Sequence, residues 1–159
     1  MRKNQKGFSL IELLIVVAII LIIAAIAIPN LLRARIAANE ASAVASCRTM
    51  NTATITFNSS YGACPATLSG LGPSGAGVTP TSTSADLLDQ VLAPSGGVNV
   101  STKSGYTFTY GSTTPFNIYT VNFDPVVSNQ TGVRHFFTDQ SGVVRWNGTA
   151  TAALTDSPI

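Results

Sequence analysis

Residues 8–28 read FSLIELLIVVAIILIIAAIAI, twenty-one consecutive positions with a single ionisable side chain, Glu12. As an α-helix this run is about 31 Å long, the thickness of a bilayer's hydrocarbon core. Arg2, Lys3 and Lys6 precede it, so the positive-inside rule keeps the N-terminus in the cytoplasm and sends the remainder outward. Ala25 and Ala27 imitate a secretory cleavage site, but the run is longer than a signal's apolar core and continues as helix rather than breaking into a loop. Glu12 is the anomaly. A carboxylate inside a span costs about 3 kcal/mol on insertion scales, and no Lys, Arg or His lies between Phe8 and Ile28 to answer it. The carboxyl is therefore either protonated or paired with a positive group from another chain. A cut before Phe8 would create such a group, a free α-amine four residues from Glu12 on one helical face.

The remaining composition narrows the function classes. The chain has 159 residues, which suits one small domain plus an extra element. Lys and Arg total 9 against 7 acids. Three of the nine precede the apolar run, and the balance beyond it is slightly acidic, so no basic face for specific nucleic-acid binding is supported. Cys47, Cys64 and the lone His135 fit no metal-ligand spacing. No cofactor site emerges. GLGPSG at 70–75 matches the letters of a dinucleotide fingerprint, with Asp89 further on, but no strand precedes it, Pro73 interrupts it and no helix follows. The acids Asp86, Asp89, Asp124, Asp139 and Asp156 are scattered. Asp139 with Ser141 reads as a turn rather than a calcium loop. His135 reads as a packed or surface histidine, not a catalytic one. These readings point away from an enzyme.

The basic leader MRKNQKG followed by FSLIELLIVVAIILIIAAIAIPN strongly resembles the N-terminal signal of type IV prepilins and of the related type II secretion pseudopilins. The resemblance implies that residues 1–7 are a leader removed by a prepilin peptidase between Gly7 and Phe8. It also implies that Phe8 is then N-methylated, and that Glu12, fifth in the mature chain, neutralises a neighbouring subunit's N-terminal amine during assembly. Pro29 matches as well. In a helix it removes one hydrogen bond and crowds the carbonyl of Ala25, and the resemblance implies a kink whose preceding stretch can melt in a filament. Leu21 stands where family members often carry a helix-weakening Gly.

Past Pro29 the residues Leu32, Ile36, Glu40, Ala43, Cys47, Met50, Thr54, Phe57 and Tyr61 step by three or four and stay on one stripe. The pattern predicts that the helix continues over 29–61 and buries its C-terminal part against a head. Ala37, Ala38, Ala41 and Ala45 flank the stripe and permit close helix approach. Tyr61-Gly62 ends the helix, with Pro65 blocking continuation. On that geometry a Cys47–Cys64 disulfide would require the helix to stop several residues early, because Tyr61 lies about 21 Å beyond Cys47. Two separate thiols are the favoured reading.

Residues 62–105 read as a loop, variable in the resembling family, with a short helix near 86–92 capped by Ser84. Residues 106–147 read as an antiparallel sheet with strands at Tyr106–Tyr110, Phe116–Phe123, Val133–Phe137 and Val143–Trp146, and 148–159 as a tail. Asp139–Gly142 forms the last hairpin turn. Pairing 138 with 143 would set His135 opposite Trp146 and Phe137 opposite Val144, unless a bulge at Gly142 shifts the register. The expected architecture is α+β: a long N-terminal helix, membrane-spanning in its first half, packed on a small antiparallel β-sheet head, as in the pilin fold. The function implied is a structural subunit of a type IV pilus. Its partners would be identical or related pilins, the prepilin peptidase, the pilus assembly machinery and the inner membrane before assembly. A type II secretion pseudopilin is the alternative within the superfamily. A membrane-anchored binding protein that never polymerises is the alternative of another class.

Overall fold

The computed structural model describes residues 8–113 and 118–159. The leader, with Gly7, and the start of the predicted strand at Phe116 lie outside the described residues. Two compact units divide the chain, residues 1–35 and 36–159.

One helix, α1, runs from Leu10 to Tyr61 and contains Pro29. Among the described residues it is the one helix long and apolar enough to cross a membrane. In the first unit every large apolar side chain from Phe8 to Leu32 is 44–77% exposed. In the second unit the helix shows the sidedness its sequence dictates: Glu40, Ala43, Cys47, Met50, Thr54 and Phe57 are all buried. Hydrophobic burial of this face holds the helix, each large apolar side chain contributing about 1.5–3 kcal/mol. The opposite face is rich in hydroxyls, and these turn inward on the backbone. Thr49, Thr52, Thr56, Ser59 and Ser60 each donate to the carbonyl four residues back, at 2.9–3.1 Å. Gly62, at φ 77, terminates the helix and donates its N–H to Asn58 O. That positive φ is one a side chain would resist.

Among the described residues six strands form one antiparallel meander in chain order: β1 Val100–Lys103, β2 Tyr106–Thr113, β3 Ile118–Pro125, β4 His135–Asp139, β5 Arg145–Asn147 and β6 Ser157–Pro158. Alternation on β2 and β3 sends Tyr106, Phe108, Tyr110, Tyr119, Val121 and Phe123 to the core with the helix stripe. Phe108, Phe123, Phe136 and Trp146 fall on one cross-strand row. The rings of Phe108 and Phe123 meet edge-on at 4.8 Å.

Four expectations need correction. The sheet starts at Val100, inside the stretch read as loop, because Ser104 (φ 50) and Gly105 (φ 74) make a two-residue turn that folds β1 onto β2. The tail contributes β6, fixed where Asn147 Nδ2 and Arg145 Nη1 donate to Asp156 and Ile159 N donates to Val144 O. Residues 86–92 are turns, not helix. Asp86 sits at φ 57, outside the right-handed helical region, and the N–H of Leu88, which a helix capped at Ser84 would give to the Ser84 carbonyl, goes to Leu71 O instead. The short helical turn is instead a 3-10 segment at Leu68–Leu71. In the last hairpin Gly142, at φ 71, shifts the register by one, so that His135 faces Asn147 and Phe136 faces Trp146.

Candidate functional site at the helix N-terminus

The helix begins with a reciprocal cap. Ser9 Oγ accepts from the N–H of Ile11 at 3.4 Å, and Glu12 Oε2 accepts from the N–H of Ser9 at 3.1 Å. Ser9-Leu10-Ile11-Glu12 is thus a capping box, which satisfies two donors that a helix start leaves unpaired. A carboxylate in the first turn also complements the positive end of the helix dipole. Here is a partner for Glu12 beyond the two alternatives drawn from lipid burial, and the S-x-x-E spacing was its signal. Phe8 lies one residue before the cap, 77% exposed. Its backbone nitrogen precedes the very N–H that Glu12 already holds.

The other candidate residues are not brought to this end. Pro29 sits inside uninterrupted helix. Cys47 and Cys64 are both buried and unbridged. Burial pushes the Cys47 thiol up to about 12, which makes it inert. Cys64 Sγ receives a long contact from Asn58 Nδ2 at 3.6 Å. Asp139 caps its own turn through the N–H of Ser141 at 2.8 Å.

Three polar constellations in the second unit were not foreseen. Glu40, in the buried stripe, accepts from the N–H groups of Val133 (3.0 Å) and Arg134 (3.1 Å) through one oxygen and from Arg134 Nε (2.7 Å) through the other. Burial acts to raise its carboxyl, but the hydrogen bonds from Val133 and Arg134 and the arginine charge outweigh it and hold the group below the ordinary carboxylate range. The Arg134 guanidinium also lies 5.6 Å from the Phe136 ring and 5.8 Å from that of Trp146. Asn51 bonds Thr138, Tyr119 and the carbonyl of Gly142 within the core. His135 Nδ1 donates to Asp124 Oδ1 at 2.6 Å across the β3–β4 pair. Each joins residues distant in sequence, so no local motif announces it.

Residues 2–28 match the family described as the prokaryotic N-terminal methylation motif. The N-terminal segment carries that motif. The chain is also similar to the type IV wide pilus major component PilA4 of Thermus thermophilus, 68% identical over 38 residues. That match spans 24% of this chain and 29% of the relative's length. No solved structure matches the chain. The long apolar helix with a six-stranded antiparallel sheet is consistent with the α+β pilin fold.

Proposed function

We propose that the chain is a structural subunit of a type IV pilus filament, drawn from the inner membrane by its N-terminal helix. The observation that carries this reading is the uncovered apolar surface from Phe8 to Leu32. Such a surface needs lipid around it, and once out of the membrane it needs the helices of related pilins. On this reading a prepilin peptidase cuts between Gly7 and Phe8, and Phe8 is methylated on its new amine. The carboxylate of Glu12 then exchanges its own cap for the amine of a neighbouring subunit. The cap keeps the acid satisfied while it waits, and the incoming charge makes the exchange favourable.

Replacement of Glu12 by Ala tests the reading. Membrane insertion and cleavage are expected to stay normal, while sheared extracellular filament falls by at least tenfold. Unchanged filament yield would overturn the role of Glu12. Wild-type protein that stays with the cells after shearing would favour a secretion pseudopilin or an unassembled anchor. Sequencing the mature N-terminus checks the cut independently, since a start anywhere but Phe8 removes the amine from reach.

A further inference from the structure

Between Glu12 and Glu40 the helix carries only two charges, Arg33 and Arg35. Both are exposed, and neither has an ion-pair partner among the described residues. The next acid along the helix, Glu40, is taken up by Val133 and Arg134.

The distance of the two arginines beyond the span says what could supply a partner. With residues 8–28 filling the hydrocarbon core, Arg33 lies about 8 Å and Arg35 about 11 Å past its outer edge along the helix, within side-chain reach of a headgroup layer about 5–8 Å deep. Leu31 and Leu32, 71% and 44% exposed, carry the apolar surface up to the first arginine. The two guanidinium groups are about 200° apart around the axis, so they reach lipids on opposite sides of the helix. The long side chains can lay their stems on the apolar boundary and hold the charge in the headgroup region. A guanidinium pairs with phosphate oxygens through two parallel hydrogen bonds.

We propose that Arg33 and Arg35 form a collar that binds phospholipid phosphates in the outer headgroup layer of the membrane that holds the unassembled subunit. The collar rests on the reading of residues 8–28 as the membrane span. It fixes the depth of the helix from the far side, opposite the end that carries Phe8 and Glu12. Both phosphates must be released when the subunit leaves the bilayer, so the collar sets part of the resistance to extraction.

Solid-state NMR on the full chain carrying Arg2→Lys, which removes the arginine label on the cytoplasmic side of the span, labelled with 13C at arginine Cζ and reconstituted in phosphatidylglycerol bilayers, tests this through carbon–phosphorus dipolar dephasing. Dephasing is expected in this parent chain, reduced by about half in Arg33→Gln or Arg35→Gln and abolished in the double variant. It should persist in Arg48→Gln, whose side chain lies about 20 Å further along the helix. Undiminished dephasing in the double variant would overturn the collar, as would its absence from the parent chain. In the latter case the arginines would be left for carboxylates of neighbouring subunits. Contact between lipid acyl protons and Val17 in the same samples separates the two readings: contact without dephasing defeats the collar alone, whereas loss of both defeats the membrane span and the collar with it.

Discussion

Replacing Glu40 perturbs a buried carboxylate that ties the helix to Val133 and Arg134, just ahead of β4. Its two oxygens have different duties: one accepts both backbone N–H groups, the other only Arg134 Nε. In Glu40→Gln the amide oxygen can keep the two backbone bonds while the NH2 group opposes another donor. The loss is one charge-assisted bond, nominally about 1.5–3 kcal/mol. The Arg134 side chain is 42% exposed and can turn to water, so about 1–2 kcal/mol is expected after screening. Glu40→Ala also strands the two backbone N–H groups, and about 3–4 kcal/mol is expected. Urea unfolding of the full chain in detergent micelles, followed by Trp146 fluorescence, measures both. Emission should respond directly, because the arginine lies against the indole. The pH dependence gives the second readout. The folded carboxyl is held below its unfolded value, so its contribution is complete above the unfolded value and disappears as pH falls through the folded one. Wild type should therefore lose its advantage over Glu40→Gln in acid and keep it at neutral pH. Equal costs for Gln and Ala, or an advantage that survives below the folded value, would refute the division of labour between the two oxygens.

Gly132→Ala should destabilise the head by about 3 kcal/mol in the same assay, because the new methyl overlaps the Tyr106 hydroxyl and comes within 2.5 Å of its ring carbon Cζ. The Cys47 thiol, buried and pushed up to about 12, should resist iodoacetamide at pH 8 in the folded protein and react within minutes in denaturant, as read by mass spectrometry. Ser9→Ala removes half of the capping box and should weaken the first helical turn by about 1 kcal/mol, seen as roughly fivefold faster amide exchange at Ile11.

The parts of the fold legible in the sequence are those written in local periodicity. The stripe from Glu40 to Phe57 and the stop at Gly62 follow from a 3.6-residue repeat and a left-handed terminator, and both appear in the structure. Leu87, Leu88, Val91 and Leu92 carry the same repeat, yet no helix forms there because Asp86 is left-handed and Leu71 takes the N–H of Leu88 that would close the first turn. Tertiary hydrogen bonding outweighs propensity in such a short segment. β1 is polar and short, and its only cue was Ser104-Gly105, a turn whose dihedrals decide the pairing. At the helix start the S-x-x-E spacing signals the cap between Ser9 and Glu12, although lipid burial alone leads only to a protonated or externally paired acid. The Glu40–Arg134 clamp was not legible, because its partners stand 94 residues apart.

The hydroxyls of Thr49, Thr52, Thr56, Ser59 and Ser60 already give their protons to helix carbonyls. Drying that flank would leave no donor stranded, so the cost of desolvation that usually keeps a threonine-rich surface wet is small here. A face that looks hydrophilic by composition can thus meet a dry neighbour almost as easily as an alanine-lined one.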